Sequence, residues 1–184
     1  MEQKSIKKKD LNYNEAAGNK DKDVQNVFKL YENDDKIIND LEKINYWYHK
    51  AADNDEKVAL YKLGEIYETG KGVCENLVRA FEFYKKSADQ GCLEAQYKIG
   101  YYYDHGIVVD VNKEKAIDIY KIIAQEDNCK AQKSLAFLYE KGEGTEKDLE
   151  QAIYWYKKAV ENGYQEVEQS LNNLMSNLNL YLTY

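Results

Sequence analysis

Apolar residues recur along this chain at the spacing of α-helices. Ala59, Leu63, Ile66 and Tyr67 stand at positions i, i+4, i+7 and i+8, which places them on one stripe of a single helix. A second stripe of the same kind occupies residues 80–88. The pattern therefore predicts a pair of amphipathic helices joined by a short turn.

The helix pair repeats with a period of 36 residues. Segments that begin at Ala59, Ala95 and Ala131 align without a gap, and weaker copies precede and follow them. One pair cannot bury its own stripe, so stacked neighbours must do so, which predicts an all-α solenoid. The predicted divisions are a disordered basic arm (1–22), a degenerate repeat (23–58), three good repeats (59–94, 95–130 and 131–166), a capping helix (167–178) and a tail (179–184).

Turn and contact residues recur with the same period. Glycine stands where each first helix must end, and glycine most easily adopts the left-handed conformation needed there. Asn or Asp precedes each second helix as an N-cap, and alanine at the contact points lets two helices approach closely. The residues predicted to have these structural roles are Gly70, Gly106 and Gly142, then Asn76, Asn112 and Asp148, then Ala80, Ala116 and Ala152.

At these residues the chain resembles the Sel1-like repeat family, which is related to tetratricopeptide repeats. The family pattern is present as Leu63-Gly64, Tyr67, Gly70-Lys71-Gly72-Val73, Asn76, Ala80, Phe83-Tyr84 and Ser87-Ala88. Gly100 repeats the role of Gly64, whereas Ala136 and Phe28 replace that glycine, and Val108 and Asp127 replace two turn glycines. The resemblance implies four right-handed repeats with the first helices lining a concave face, and adaptor or scaffold roles.

The net charge and its distribution limit the classes of partner that the chain is expected to bind. The net charge is −7, and because residues 1–22 carry +2, the remainder carries −9. This balance disfavours nucleic acid as a ligand. The sequence has no uninterrupted apolar stretch of about 18 residues, so no membrane span is predicted. We expect a monomer in the cytoplasm, with the nucleus as a second location.

Candidate chemistry is sparse. His105 precedes a helix-ending glycine and His49 is predicted to face solvent, and no spacing of His and Cys is typical of a metal site. Some secreted relatives have regular disulfides and have been considered hydrolases. Here the closest cysteines, Cys74 and Cys92, are 18 positions apart. We predict no catalytic residue, cofactor or metal, and the hydrolase reading is a remote alternative.

The sequence favours a non-catalytic adaptor that binds a protein or peptide. The alternative is a regulatory module of protein-kinase signalling, because the Lys-, Asn- and Tyr-rich repeats resemble Sel1-like repeats that often accompany protein-kinase domains. The binding face should be offset by about one position from the packing stripe, where aromatics beside carboxylates suit a peptide with apolar and basic side chains. The predicted partner-binding residues are Tyr61, Glu65, Glu68, Tyr97, Tyr101, Asp104, Lys133, Phe137 and Glu140.

Overall fold

A computed structural model describes the backbone of residues 41–182 and the side chains of residues 44–176. These residues form α-helices and one short 3-10 helix, with no strand among them. The helices are α1 (Leu41–Ala52), α2 (Lys57–Thr69), α3 (Leu77–Asp89), α4 (Leu93–His105), α5 (Lys113–Ala124), α6 (Cys129–Lys141), α7 (Leu149–Glu161), the 3-10 helix (Gln165–Val167) and α8 (Glu168–Leu182). The predicted arm (1–22) and the first helix of the degenerate repeat lie outside the described residues.

The helices pack in chain order. Helices α2 and α3, α4 and α5, and α6 and α7 form three antiparallel pairs, and each pair packs against the next through α3 and α4, then α5 and α6. Helix α8 packs against α7 and closes this stack. Sequential packing of this kind buries the stripe of each helix against its neighbours, which is the solenoid that the period predicts.

The predicted helix ends are confirmed. Gly70, Gly106 and Gly142 have φ values of 66°, 66° and 70°, in the left-handed region. At the second helices, the side-chain oxygens of Asn76, Asn112 and Asp148 accept hydrogen bonds from the backbone N–H of Arg79, Lys115 and Gln151 at 3.0, 2.8 and 2.9 Å. The recurrent glycines therefore end the first helices, and the recurrent Asn and Asp residues begin the second helices.

Small residues hold the helices of each pair close together. Ala80, Ala116 and Ala152 are fully buried. A Cβ atom added to Gly64 would overlap the ring of Tyr84, and one added to Gly100 would lie 2.7 Å from Cε1 of Tyr120. The glycines are thus required because a tyrosine of the second helix lies directly on the first helix.

Some boundaries and turns differ from the prediction. Helices α2, α4 and α6 each begin two residues before the predicted repeat starts. Helix α8 continues to Leu182, four residues beyond the predicted end of the capping helix (167–178) and into the predicted tail (179–184). Val108 and Asp127 adopt φ values of 66° and 57°, so the left-handed turn is kept where glycine is absent.

Candidate partner-binding surface

The outward sides of the first helices carry most of the predicted binding residues. Positions i, i+4 and i+8 of each helix share one side, because four residues are close to one helical turn. We call this set the first-helix face. It consists of Tyr61, Glu65 and Thr69 on α2, of Tyr97, Tyr101 and His105 on α4, and of Lys133, Phe137 and Lys141 on α6.

Tyr61 and Tyr97 form part of the packing between the helices of each pair. Both are half-buried, and their ring centroids lie 5.6 Å from those of Tyr84 and Tyr120, respectively. Burial, followed by the nearby Glu65 carboxylate, raises the pKa of Tyr61, so its phenol remains a protonated donor. Each of these tyrosines therefore offers a partner only the part of its side chain that this packing leaves exposed.

Tyr101 and Phe137 differ in how far they are covered. The Tyr101 ring stacks on His105 with centroids 4.0 Å apart and an interplanar angle of 26°. The His105 ring nitrogen Nδ1 lies 3.1 Å from the Tyr101 carbonyl oxygen, which fixes this stack. Phe137 is 43% exposed, and the ammonium of Lys141 lies 5.5 Å from its ring centroid. Phe137 is thus the open aromatic side chain of the face, and Tyr101 is half-covered.

Two of the predicted carboxylates are already bonded within the chain. Glu65 accepts hydrogen bonds from the Tyr61 hydroxyl at 2.9 Å and from Lys62 at 2.8 Å. Glu140 accepts from the Tyr156 hydroxyl at 3.0 Å and pairs with Lys141 at 2.8 Å. The negative charge of both carboxylates is therefore largely compensated before any partner arrives.

Asp104 is not presented to a partner. It is buried, and one of its oxygens lies 2.6 Å from the Lys113 ammonium, which also contacts Glu143 at 3.0 Å. Partial burial alone would lower the pKa of Lys113, but its bonds to these two carboxylates raise it. A lysine from the start of α5 thus occupies the carboxylate, so the prediction of Asp104 as a partner-binding residue gains no support from its surroundings.

Glu68 has the same inward role. Its carboxylate accepts hydrogen bonds from the Tyr84 hydroxyl at 2.8 Å and the Tyr102 hydroxyl at 3.3 Å, and it pairs with Lys98. These contacts join α2, α3 and α4 across the boundary between two repeats. Glu68, Asp104 and Glu140 share one phase of the repeat, so this position is structural in every good repeat.

The shorter side chain at this phase leaves one hydroxyl unpaired. Glu68 and Glu140 reach the hydroxyls of Tyr84 and Tyr156, which lie 16 positions later. Asp104 is one methylene shorter, and the buried hydroxyl of Tyr120 has no hydrogen-bond partner among the described residues. The Ser134 hydroxyl lies near the Tyr120 phenol, but no hydrogen bond of good geometry joins them.

The residues considered for chemistry have structural surroundings. His49 is half-buried, contrary to the solvent-facing prediction, because its Nε2 lies 3.2 Å from the Tyr67 hydroxyl and its ring meets Phe83 edge-on. Cys74, Cys92 and Cys129 are free thiols. No group of three or more His, Cys, Asp or Glu in the described part of the chain could hold a metal ion. None of its helices is long and apolar enough to span a membrane.

Three residues of the face are absent from the predicted set: Thr69, His105 and Lys141. His105 and Lys141 each lie four positions after a predicted aromatic, Tyr101 and Phe137, and each covers or borders that ring. The i, i+4 spacing on a helix is the signal that could have identified them.

Family comparisons agree with the repeat boundaries in the structure. Residues 28–56, 57–92, 93–128 and 129–164 each match the Sel1 repeat family, and the last three begin where α2, α4 and α6 begin. No curated protein matches the chain.

Solved structures have the same fold. A Sel1 repeat protein from Oxalobacter formigenes is 32% identical with a TM-score of 0.64, over 70% of this chain and 51% of that one. The antigen c5321 of uropathogenic Escherichia coli, which has an SLR fold, is 32% identical with a TM-score of 0.69, over 73% of this chain and 29% of that one. The chain thus spans about half of the first relative and less than a third of the second.

Helicobacter pylori cysteine rich protein B is 21% identical with a TM-score of 0.57, which shows the fold alone. The hydrolase alternative gains no support from this likeness. Four matched repeats and helix pairs stacked in register lead to one assignment: the chain belongs to the Sel1 repeat family, whose members are generally protein-interaction scaffolds.

Proposed function

We propose that this protein is a non-catalytic adaptor that binds a protein or peptide partner on the first-helix face. The main support for this proposal is the exposure of Phe137, an aromatic side chain on α6 that is 43% exposed. A large apolar ring in water is unfavourable unless a partner covers it, and aromatic side chains dominate the energetics of protein interfaces.

The rigidity of α6 supports this role. The inward side of the helix is fully packed, since Ala131, Leu135 and Ala136 are fully buried and Leu138 is 1% exposed. A ring displayed on such a helix loses little conformational freedom when a partner binds. Binding energy is therefore not spent on ordering the site.

Tyr101 extends the apolar surface onto the neighbouring helix α4. Its ring is held by the stack on His105, and Tyr97 lies one turn before it, with the two tyrosine centroids 6.5 Å apart. Helices α4 and α6 are linked through Tyr97, which is close to Lys133 and Ser134. A partner segment crossing from one repeat to the next would contact both aromatic positions.

The test is affinity capture with mass spectrometry from the native cell, with Tyr101→Ala/Phe137→Ala compared with the unmodified protein. The matched control is Ile122→Ala on α5, which removes a side chain that is 63% exposed but lies on a second helix. We expect the double variant to lose the captured partner while keeping its helical circular-dichroism signal and melting temperature.

The control variant should capture the partner as the unmodified protein does. Loss of stability equal to the loss of capture would mean that Tyr101 and Phe137 are core residues. Equal capture by the double variant would place the binding site on another surface.

A further inference from the structure

The outward side of α6 has an unusual composition. Among the thirteen residues of this helix, those that are exposed are Lys130, Lys133, Phe137 and Lys141. They lie at i, i+3, i+7 and i+11, so they share one side of the helix. We call these four residues the α6 strip. It consists of one open aromatic ring with a lysine one turn before it, a lysine one turn after it, and a third lysine further back.

Two of the three lysines of the α6 strip carry a positive charge that no ion pair with a described residue compensates. Lys130 and Lys133 form no ion pair with any described residue, and the Lys133 ammonium lies 5.3 Å from the Tyr164 ring centroid. Lys141 pairs with Glu140, whose carboxylate also accepts the Tyr156 hydroxyl. The strip is therefore a cationic patch on a chain whose net charge is −7.

The other first helices lack this character. On α2 the half-buried Glu65 is bonded to Lys62, and on α4 the half-buried Lys98 is bonded to Glu68. The exposed residues of α4 are Glu94 and His105. The unpaired charge on the first-helix face is consequently positive and is concentrated beside Phe137.

We propose that the α6 strip binds an acidic peptide segment in which an aromatic or aliphatic side chain is flanked by carboxylates. The apolar side chain would cover Phe137, and the carboxylates would pair with Lys133 and Lys141 on either side of it. This inference rests on the proposed function and specifies its ligand. It replaces the expectation of a basic peptide, because Glu65, Asp104 and Glu140 are bonded within the chain.

Charge also discriminates among other occupants. Residues 1–22 of this chain carry a net +2, so this segment does not complement the α6 strip. Nucleic acid would complement the three lysines, but the acidic remainder of the molecule repels a phosphate backbone. An acidic peptide can meet the strip through a short segment, with less exposure to that repulsion.

A random peptide library displayed on phage and selected on the full-length protein tests the inference. The enriched peptides are synthesised, and their affinity is measured for the unmodified protein, for Lys130→Glu/Lys133→Glu and for Phe137→Ala. The control is Lys85→Glu/Lys157→Glu, which makes the same charge change at exposed residues of the second helices α3 and α7. A single-stranded oligothymidylate is measured in parallel.

We expect enriched peptides in which Asp or Glu flanks a Phe, Trp or Leu. Binding should weaken about tenfold or more in Lys130→Glu/Lys133→Glu and in Phe137→Ala, should change little in the control, and should weaken with added salt. Enrichment of basic or uncharged peptides that depend on Phe137 would overturn this inference and leave the proposed function standing. An absence of enriched peptides would count against both, and lysine-dependent binding of the oligothymidylate in preference to every peptide would assign the strip to nucleic acid.

Discussion

Removing the buried hydroxyl of Tyr120 is predicted to affect the free energy of unfolding differently from removing the hydroxyls of Tyr84 and Tyr156. Tyr84, Tyr120 and Tyr156 occupy the same position in consecutive repeats, and all three are buried. The hydroxyls of Tyr84 and Tyr156 donate to Glu68 and Glu140, whereas that of Tyr120 has no hydrogen-bond partner in the described part of the chain. Removal of the hydroxyl should therefore lower the free energy of unfolding at Tyr84 and Tyr156, and should leave it unchanged or raise it at Tyr120.

The expected change in the free energy of unfolding depends on whether the hydroxyl has a hydrogen-bond acceptor. Tyr84→Phe and Tyr156→Phe each remove a hydrogen bond to a charged carboxylate, which we expect to destabilise the fold by about 1.5–3 kcal/mol. Tyr120→Phe removes a buried hydroxyl that forms no hydrogen bond with any described residue. The free energy of unfolding should then stay unchanged or rise by about 1 kcal/mol, because the desolvation cost of the hydroxyl disappears.

The assay is equilibrium unfolding in urea, followed by far-ultraviolet circular dichroism. Repeat proteins can unfold in stages, so the transitions are compared one by one. In an Asp104→Glu background the longer carboxylate can reach the Tyr120 hydroxyl, and Tyr120→Phe should then cost as much as Tyr84→Phe. If Tyr120→Phe in the unmodified protein costs as much as Tyr84→Phe, the Tyr120 hydroxyl forms a hydrogen bond in the folded state and the prediction is wrong.

Three further perturbations test the fold. Burial, followed by the Glu68 bond, raises the pKa of Tyr84 above its ordinary value of 10.0, so the unfolded state loses this proton first and stability should fall as the pH rises above 10.0. Tyr84→Phe should reduce that slope by up to about 1.4 kcal/mol per pH unit, as measured by urea unfolding across alkaline buffers. Val108→Gly should raise the melting temperature, because relief of about 1–2 kcal/mol of left-handed strain exceeds the added entropy of the unfolded chain; an unchanged or lower value would contradict this. Gly64→Ala should destabilise by about 1–3 kcal/mol in urea despite alanine's better helix propensity, because the ring of Tyr84 lies on the helix, and a gain in stability would show that the ring can move.

The period of 36 residues was enough to predict the helix pairs, their caps and their order. Glycine ends and Asn or Asp starts are local signals, since each acts through the backbone within one turn of its own position. The continuation of α8 to Leu182 was not predicted because residues 177–184 alternate polar and apolar, which is a strand-like pattern. Helical backbone was formed there in spite of that pattern.

The candidate site was less accessible to sequence reasoning. Helical geometry predicts that Tyr101 and Phe137 lie on the outward side of their helices. Whether a carboxylate is free or already bonded depends on residues far along the chain. Glu68 is bonded to a lysine 30 positions away, and Asp104 is bonded to a lysine that belongs to the next helix. Such contacts depend on side-chain length to within one methylene, and on lysines that do not recur in every repeat.

The most direct test of partner binding on the first-helix face is site-specific photo-crosslinking in the native cell. A photoreactive amino acid is placed at Phe137 in one protein and at Ile122, the exposed apolar position on α5, in another. We predict that a protein partner is cross-linked from position 137 and not from position 122. Cross-linking of the same partner from position 122 alone would contradict the assignment of the binding surface to the first helices.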